Sequence, residues 1–314
     1  MIELHLHLDG SLRPATVVEL ADSQGIELPV RDLEELTKEH LQVTDECKDL
    51  VACLKRFDLP IRVLGTPEAM RRAAFELTED LAGEAYQYAE IRFAPQYARY
   101  TGYSQQEYVE AARDGMKEAL RQNPSMKASL LLCCMRGDDN QEENEETIRL
   151  TARYLGSGVC GADLAGAESL FPTERFAGVF ALAKKLDVPY TIHAGEAAGP
   201  DSVRAALDMG ASRLGHGVRA IEDMSLVREL AKRKIVLEVN YTSNIQSRSF
   251  ATAAEHPFGR LYEAGVHVTV NTDNRTVSGI TLAEEIEKIQ RQFGFTQQDI
   301  AVMQQYAREA AFAW

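Results

Sequence analysis

The chain has 314 residues and a formal net charge of −14, from 34 Lys and Arg against 48 Asp and Glu. With no dense Lys/Arg cluster this argues against a nucleic-acid binder, which needs a basic face to neutralise phosphates, whereas an acidic surface mainly favours solubility. No apolar run reaches the roughly 18 residues of a membrane span, and no basic stretch followed by an apolar run opens the chain, so neither a membrane protein nor a signal peptide is expected.

The first element is contained in "MIELHLHLDGSL", where apolar residues alternate with His5 and His7 over 2–8, the period of a strand. Helical character follows at 14–24 and again at 66–85. A second strand is expected at 88–93, and "SQQEYVEAARDGMKEALRQ" then has apolar residues at helical spacing with Ser104 as N-cap. Further strands are expected at 128–135, in the apolar run "ASLLLCCM", and at 161–165, 190–193, 213–215, 235–239 and 267–272. "TERFAGVFALAKKLD" and "TLAEEIEKIQRQFG" read as helices between and after them, and a helical pattern runs on to Trp314. About eight β-then-α units predict an α/β fold, a single (β/α)8 TIM barrel over 1–314 rather than two domains. One link is anomalous. Roughly eighty residues separate the first two strands, where a βα loop ordinarily has about 2–6. The segment 26–65 is therefore expected to be a helical insertion forming a lid over one face of the barrel.

The five cysteines, Cys47, Cys53, Cys133, Cys134 and Cys160, form no CxxC pair, and Cys133 and Cys134 read as small core residues. A reducing compartment, the cytoplasm, is the expectation. The seven histidines are more informative. His5, His7, His193 and His216 fall at or near strand ends, and Asp273 closes the last strand in "HVTVNTDN". Side chains at i and i+2 of a strand point the same way, and the C-terminal ends of barrel strands converge on one mouth. His5, His7, His193 and Asp273 are therefore expected to meet there, as a donor set suited to a divalent metal such as zinc. A lone buried histidine is more often a hydrogen-bonded core residue. His40, His256 and His267, which lack strand-end placement, are read as structural or surface. Glu196, three residues after His193 in "TIHAGEAAG", stands where it can move a proton or cap a helix. His216, between glycines in "RLGHG", reads as either a ligand or a general base.

Together "ELHLHLDGSL", "DLAG", "TIHAGEAAGP", "RLGHG", "TSNIQS" and "HVTVNTDN", in this order and over nearly the whole chain, resemble adenosine deaminase of the amidohydrolase superfamily. The resemblance implies a hydrolase of purine metabolism: a (β/α)8 barrel that holds one divalent metal ion, usually zinc, and acts on a small purine nucleoside. It implies attack of a metal-activated water on purine C6 of adenosine, and of 2′-deoxyadenosine, giving inosine and ammonia. His5, His7, His193 and Asp273 match the metal ligands. Glu196 matches the acid that protonates N1, and His216 the histidine that orients the attacking water. Gly166 in "DLAGAE" matches a backbone contact to N3, and Asp9 a residue near the ribose 5′-hydroxyl. The fourth strand carries no lysine to bridge a second metal, which favours one ion.

Three departures from the family pattern stand out. Asn274 takes the place of a second acid and is expected to donate its amide to N7, which an ionised carboxylate cannot do. Asn240-Tyr241 replaces a usual Cys-Pro, and the chain stops at Trp314 where relatives commonly continue. Related activities differ after the second histidine. Adenine deaminases tend to have "HIEG" and deaminases of N6-modified nucleotides "HLNG", against "HLDG" here, and AMP deaminases are longer. A deaminase of a 5′-modified adenosine such as aminodeoxyfutalosine shares the nucleoside end. A non-catalytic metal-bound barrel is a further alternative, but it would need neither Glu196 nor His216.

Overall fold

The computed structural model describes residues 1–44 and 47–314; positions 45 and 46, inside the expected insertion, lie outside the described residues. Eight strands alternate with helices: β1 Ile2–His7, β2 Tyr88–Phe93, β3 Lys127–Met135, β4 Val159–Ala165, β5 Thr191–Ala194, β6 Arg213–His216, β7 Val236–Val239 and β8 His267–Val270. All are within three residues of their expected ends. They pair in parallel as two runs, β1-β2-β3-β4 and β5-β6-β7-β8. Parallel bridges between Ala162 and Tyr190 and between Leu6 and Asp273 join the runs at both seams, so the sheet closes into a barrel. β2, β4, β5, β6 and β7 are buried along their whole length. That is what a parallel sheet covered by helices requires, and it explains continuous apolar runs such as that of β3.

The helices start where the sequence indicates. Ser104 accepts from the Glu107 N–H while the Glu107 carboxylate accepts from the Ser104 N–H, a capping box that opens helix Gln105–Gln122. Thr281 and Glu284 do the same for helix Leu282–Phe293. Between β1 and β2 lie helices Pro14–Gln24 and Pro67–Gly83 and, between those, short helical pieces at Leu33–Glu35, Leu36–Leu41, Leu50–Leu54 and Asp58–Val63. The last helix differs from expectation. It ends at Ala310 rather than running to Trp314, because Ala311 is extended and the chain turns in beneath the barrel. There the Arg213 guanidinium lies 3.8 Å over the Phe312 ring, and the Phe312 N–H donates to Glu90 at 2.7 Å.

The barrel interior is not filled by aliphatic layers alone. Arg92 on β2 donates to Asp163 on β4 and Glu238 on β7, both at 2.8 Å. Arg213 on β6 reaches the other oxygen of Glu238 at 2.5 Å and also pairs with Glu90. All five are buried. Charges this deep persist only when paired and hydrogen-bonded, and this layer forms the floor of the site above it. No helix among the described residues is long and apolar enough to cross a membrane.

Candidate active site

His5 and His7, two apart on β1, both face the barrel mouth. His193 arrives from β5, His216 from the end of β6 and Asp273 from just beyond β8. His5, His193, His216 and Asp273 each offer a donor atom within 4.8 Å of the others. His7 joins them from the rim: its Nε2 is 3.3 Å from Nε2 of His193 and 3.4 Å from Oδ1 of Asp273. The structure thus gathers the four expected ligands and brings His216 into the same cluster. The ambiguity over His216 in the sequence has a geometric basis.

The hydrogen bonds indicate what the cluster suits. Nδ1 of His5 bonds Glu238 at 2.8 Å, and Nδ1 of His193 bonds Asp163 at 2.9 Å. A carboxylate can only accept, so each Nδ1 carries the proton and each Nε2 lone pair points inward. Nε2 of His5 is buried without a hydrogen-bond partner. The Nε2 atoms of His7 and His193, 3.3 Å apart beside a carboxylate, are spaced to share a bound cation, and carboxylate-oriented histidines are the usual surroundings of a metal. Burial also pushes His7, His193 and His216 below the ordinary histidine range, keeping them neutral as ligation requires. Local strain accompanies the cluster. His216 and Asp273 have φ of 59° and 64°, a left-handed conformation uncommon for residues other than glycine and concentrated at functional sites. Gly215 allows the approach, because a Cβ there would lie 2.9 Å from Cε1 of His5.

A cavity of about 720 Å³ opens beside the cluster, lined by His7, Asp9, Gly166, Glu196, His216 and Asn274 among others. Glu196 stands on its wall with Oε2 3.6 Å from Nε2 of His216. Burial, helped by the charges of Asp273 and Glu168, raises this carboxyl well above the usual carboxylate range, which favours its protonated form. Burial likewise pushes Asp9 up to about 7. Asn274 is buried, and its Oδ1 has no partner among the described residues. It packs so closely on Gly10 that a Cβ there would come within 2.0 Å of that oxygen. A second cavity, about 810 Å³, is lined by residues of 27–62, including His40, and contains none of the clustered groups. His256 is buried, and His267 stacks on Tyr306 at 3.9 Å at the opposite end of β8.

Several supporting residues went unread in the sequence. Asn244 bonds Nδ1 of His216 at 2.8 Å, with Asn240 beside it at 3.3 Å, which is where the unusual Asn240-Tyr241 pair makes its contact. Ser243 donates to Asp273 at 2.6 Å. Asp163 opens "DLAG", and Glu238 is marked only as an acid inside an apolar strand.

A sequence model of the adenosine deaminase family matches residues 1–314. An adenosine deaminase of Haemophilus ducreyi is 45% identical over 296 residues, covering 93% of this chain and 86% of its own length. Among solved structures, the adenine deaminase of Arthrobacter aurescens superposes with a TM-score of 0.87 at 26% identity, covering 100% of this chain and 94% of that one. An N6-mAMP deaminase of Arabidopsis gives 0.86 at 29%, covering 100% and 93%. The barrel, its mouth of histidines and acids and the full-length match agree: this chain belongs to the adenosine deaminase family.

Proposed function

We propose that the protein hydrolyses the C6–amino bond of adenosine and 2′-deoxyadenosine, releasing ammonia and the corresponding inosine. The observation that carries this reading is Glu196, a buried carboxyl 3.6 Å from Nε2 of His216 on the wall of a cavity that also exposes Asp273. His5, His7, His193 and Asp273 would hold one divalent ion, with zinc favoured by three imidazoles and a carboxylate. Such an ion, when bound, supplies a water of lowered pKa. Glu196 gives its proton to purine N1, drawing electron density from C6. His216, its Nδ1 engaged by Asn244, presents Nε2 to the attacking water and orients it toward C6. The amide of Asn274 donates to N7, the backbone N–H of Gly166 to N3, and Asp9 holds the 5′-hydroxyl. The insertion over 26–65 serves as a lid, since Leu54, Phe57 and Ile61 from it line the cavity. The five cysteines are unpaired and buried, which suits the cytoplasm.

A second reading, a 5′-substituted adenosine, is favoured by the cavity volume, which leaves room beyond ribose. Arg13 gives no help to a phosphate near Asp9, although Arg62 and Arg136 line the cavity. Arg13, the basic residue nearest in sequence, is held by Asp80 at 2.5 Å and Glu79 at 2.8 Å. Turnover of adenosine, 2′-deoxyadenosine, adenine, AMP and 5′-modified adenosines by the purified enzyme separates these readings. Glu196→Gln should keep the fold and metal but lose roughly 10²-fold or more in adenosine turnover. Near-normal turnover would reduce Glu196 to a helix cap.

A further inference from the structure

The turn that carries Glu196 has an anchor outside the cavity. Residues 195–198 follow β5 and precede helix Pro200–Asp208, and belong to no regular element. Their four consecutive backbone N–H groups all donate to one side chain, Glu168, in the loop after β4. Gly195 reaches Oε1 at 2.7 Å, while Glu196, Ala197 and Ala198 reach Oε2 at 3.0, 2.7 and 2.9 Å. The hydroxyl of Ser202 adds a fifth bond to Oε1 at 2.5 Å. Glu168 is buried and faces away from the cavity, so it cannot touch a substrate. With five donors around it, the carboxyl of Glu168 serves only as an acceptor.

Other contacts hold the turn by its carbonyls. Gly195 accepts from the Arg219 N–H at 2.9 Å, and Ala197 from the Arg219 side chain at 3.0 Å. Among the described residues the amides have Glu168 alone. Gly195, at φ 79° and with no room for a Cβ beside Val203, lets the chain curl around that carboxylate. His193 is fixed independently by β5 pairing and by Asp163. The catalytic turn and the neighbouring candidate ligand therefore hang on different supports.

From this geometry we infer that Glu168 is a positioning residue that sets the aim of the Glu196 carboxyl toward the substrate. The inference rests on the proposed role of Glu196 as the acid. Gln at 168 keeps the shape but turns an NH2 group against N–H donors, so the turn relaxes while the histidine cluster stays. Displacement of a reacting group by about 1 Å costs on the order of 10²-fold.

The experiment is a double-mutant cycle on the metal-loaded full chain with adenosine, recording kcat, KM and bound metal. Glu168→Gln should lower kcat roughly 10- to 100-fold, with KM within about threefold of wild type and metal content unchanged. In a Glu196→Gln background the same change should alter kcat by less than about twofold, because the group being aimed is gone. Multiplying losses in the double variant, or loss of metal in Glu168→Gln, would overturn the inference and leave Glu168 a general structural residue. Should Glu168→Gln not fold, Ser202→Ala, which removes one donor, enters the same cycle and is judged by the same non-additivity. Near-normal kcat in Glu196→Gln alone defeats the acid assignment itself, and is read before the cycle is closed.

Discussion

Each residue at the barrel mouth is set by one identifiable neighbour. Glu238 fixes the tautomer of His5, Asp163 that of His193, and Asn244 bonds His216. Asn274 differs: its Oδ1 is buried and unpartnered, and it leans on Gly10, where any side chain would collide with it. A buried amide oxygen without a protein partner is costly unless a donor completes it; N7 accepts, so a contact to N7 falls to the NH2 of the same amide. If Asn274 donates to N7, Asn274→Ala should lower kcat/KM for adenosine about 5- to 150-fold, the equivalent of a lost buried hydrogen bond of about 1–3 kcal/mol. For 7-deazaadenosine, which has C–H in place of N7, the same change should have little effect. An unchanged ratio of the two substrates, with weaker metal binding, would mean that Asn274 only braces Asp273.

Glutamates placed behind the barrel mouth hold its turns in the same manner. Glu3 accepts from the Thr272 N–H and hydroxyl, both at 2.6 Å, immediately before Asp273. Glu285, which burial pushes up to about 7, accepts from the Thr242 N–H at 2.7 Å at the start of the helix carrying Ser243 and Asn244. Glu168 completes the series on the turn after β5. The insertion packs Leu36, Leu41 and Val63 into the main core. Its contacts with the barrel include the Val43 N–H donating to Val277 O at 2.8 Å and the Cys53 thiol donating to Gln246 O at 3.5 Å. A helical insertion that lines a cavity is placed where it can gate it. Amide exchange over 50–63 should slow when a purine-nucleoside inhibitor binds. Exchange rates that ignore the inhibitor would remove the lid from the account.

At the scale of the whole molecule, the proposed ligands tie together the two four-stranded runs. His5 and His7 belong to the first, His193 and Asp273 to the second. An ion bound across that seam stabilises the closed barrel by mass action, about 2.7 kcal/mol when free metal is a hundredfold above Kd. Stripping the metal with a chelator should therefore lower Tm by about 4 °C at that ratio and abolish turnover, and zinc should restore both. A chelated, metal-free protein with unchanged Tm would show that the cluster closes without an ion. The charged layer of Arg92, Asp163, Glu238, Arg213 and Glu90 makes the same seam demanding, since removing one member strands its partners in the interior.

Local rules were enough to read the eight strands, the N-cap at Ser104 and the shared direction of His5 and His7, because side-chain period and capping depend on neighbours in sequence. The order of the motifs carried the family. The supports of the site were beyond such reading. Glu238 lies 233 residues from His5, and Glu168 lies 27 from the first amide it holds; in sequence each is an ordinary acid. Whether a carboxylate is solvated or accepts from four consecutive amides depends on which loops the barrel brings side by side. The same holds for the last residues. Helical periodicity runs on to Trp314, but the bond from Phe312 to Glu90 and the packing against Arg213 beneath the barrel end the helix at Ala310. Sequence determined which groups face the barrel mouth, because direction along a strand is local. Tertiary structure decided which buried charge holds each of them there, because burial and pairing are properties of the closed barrel.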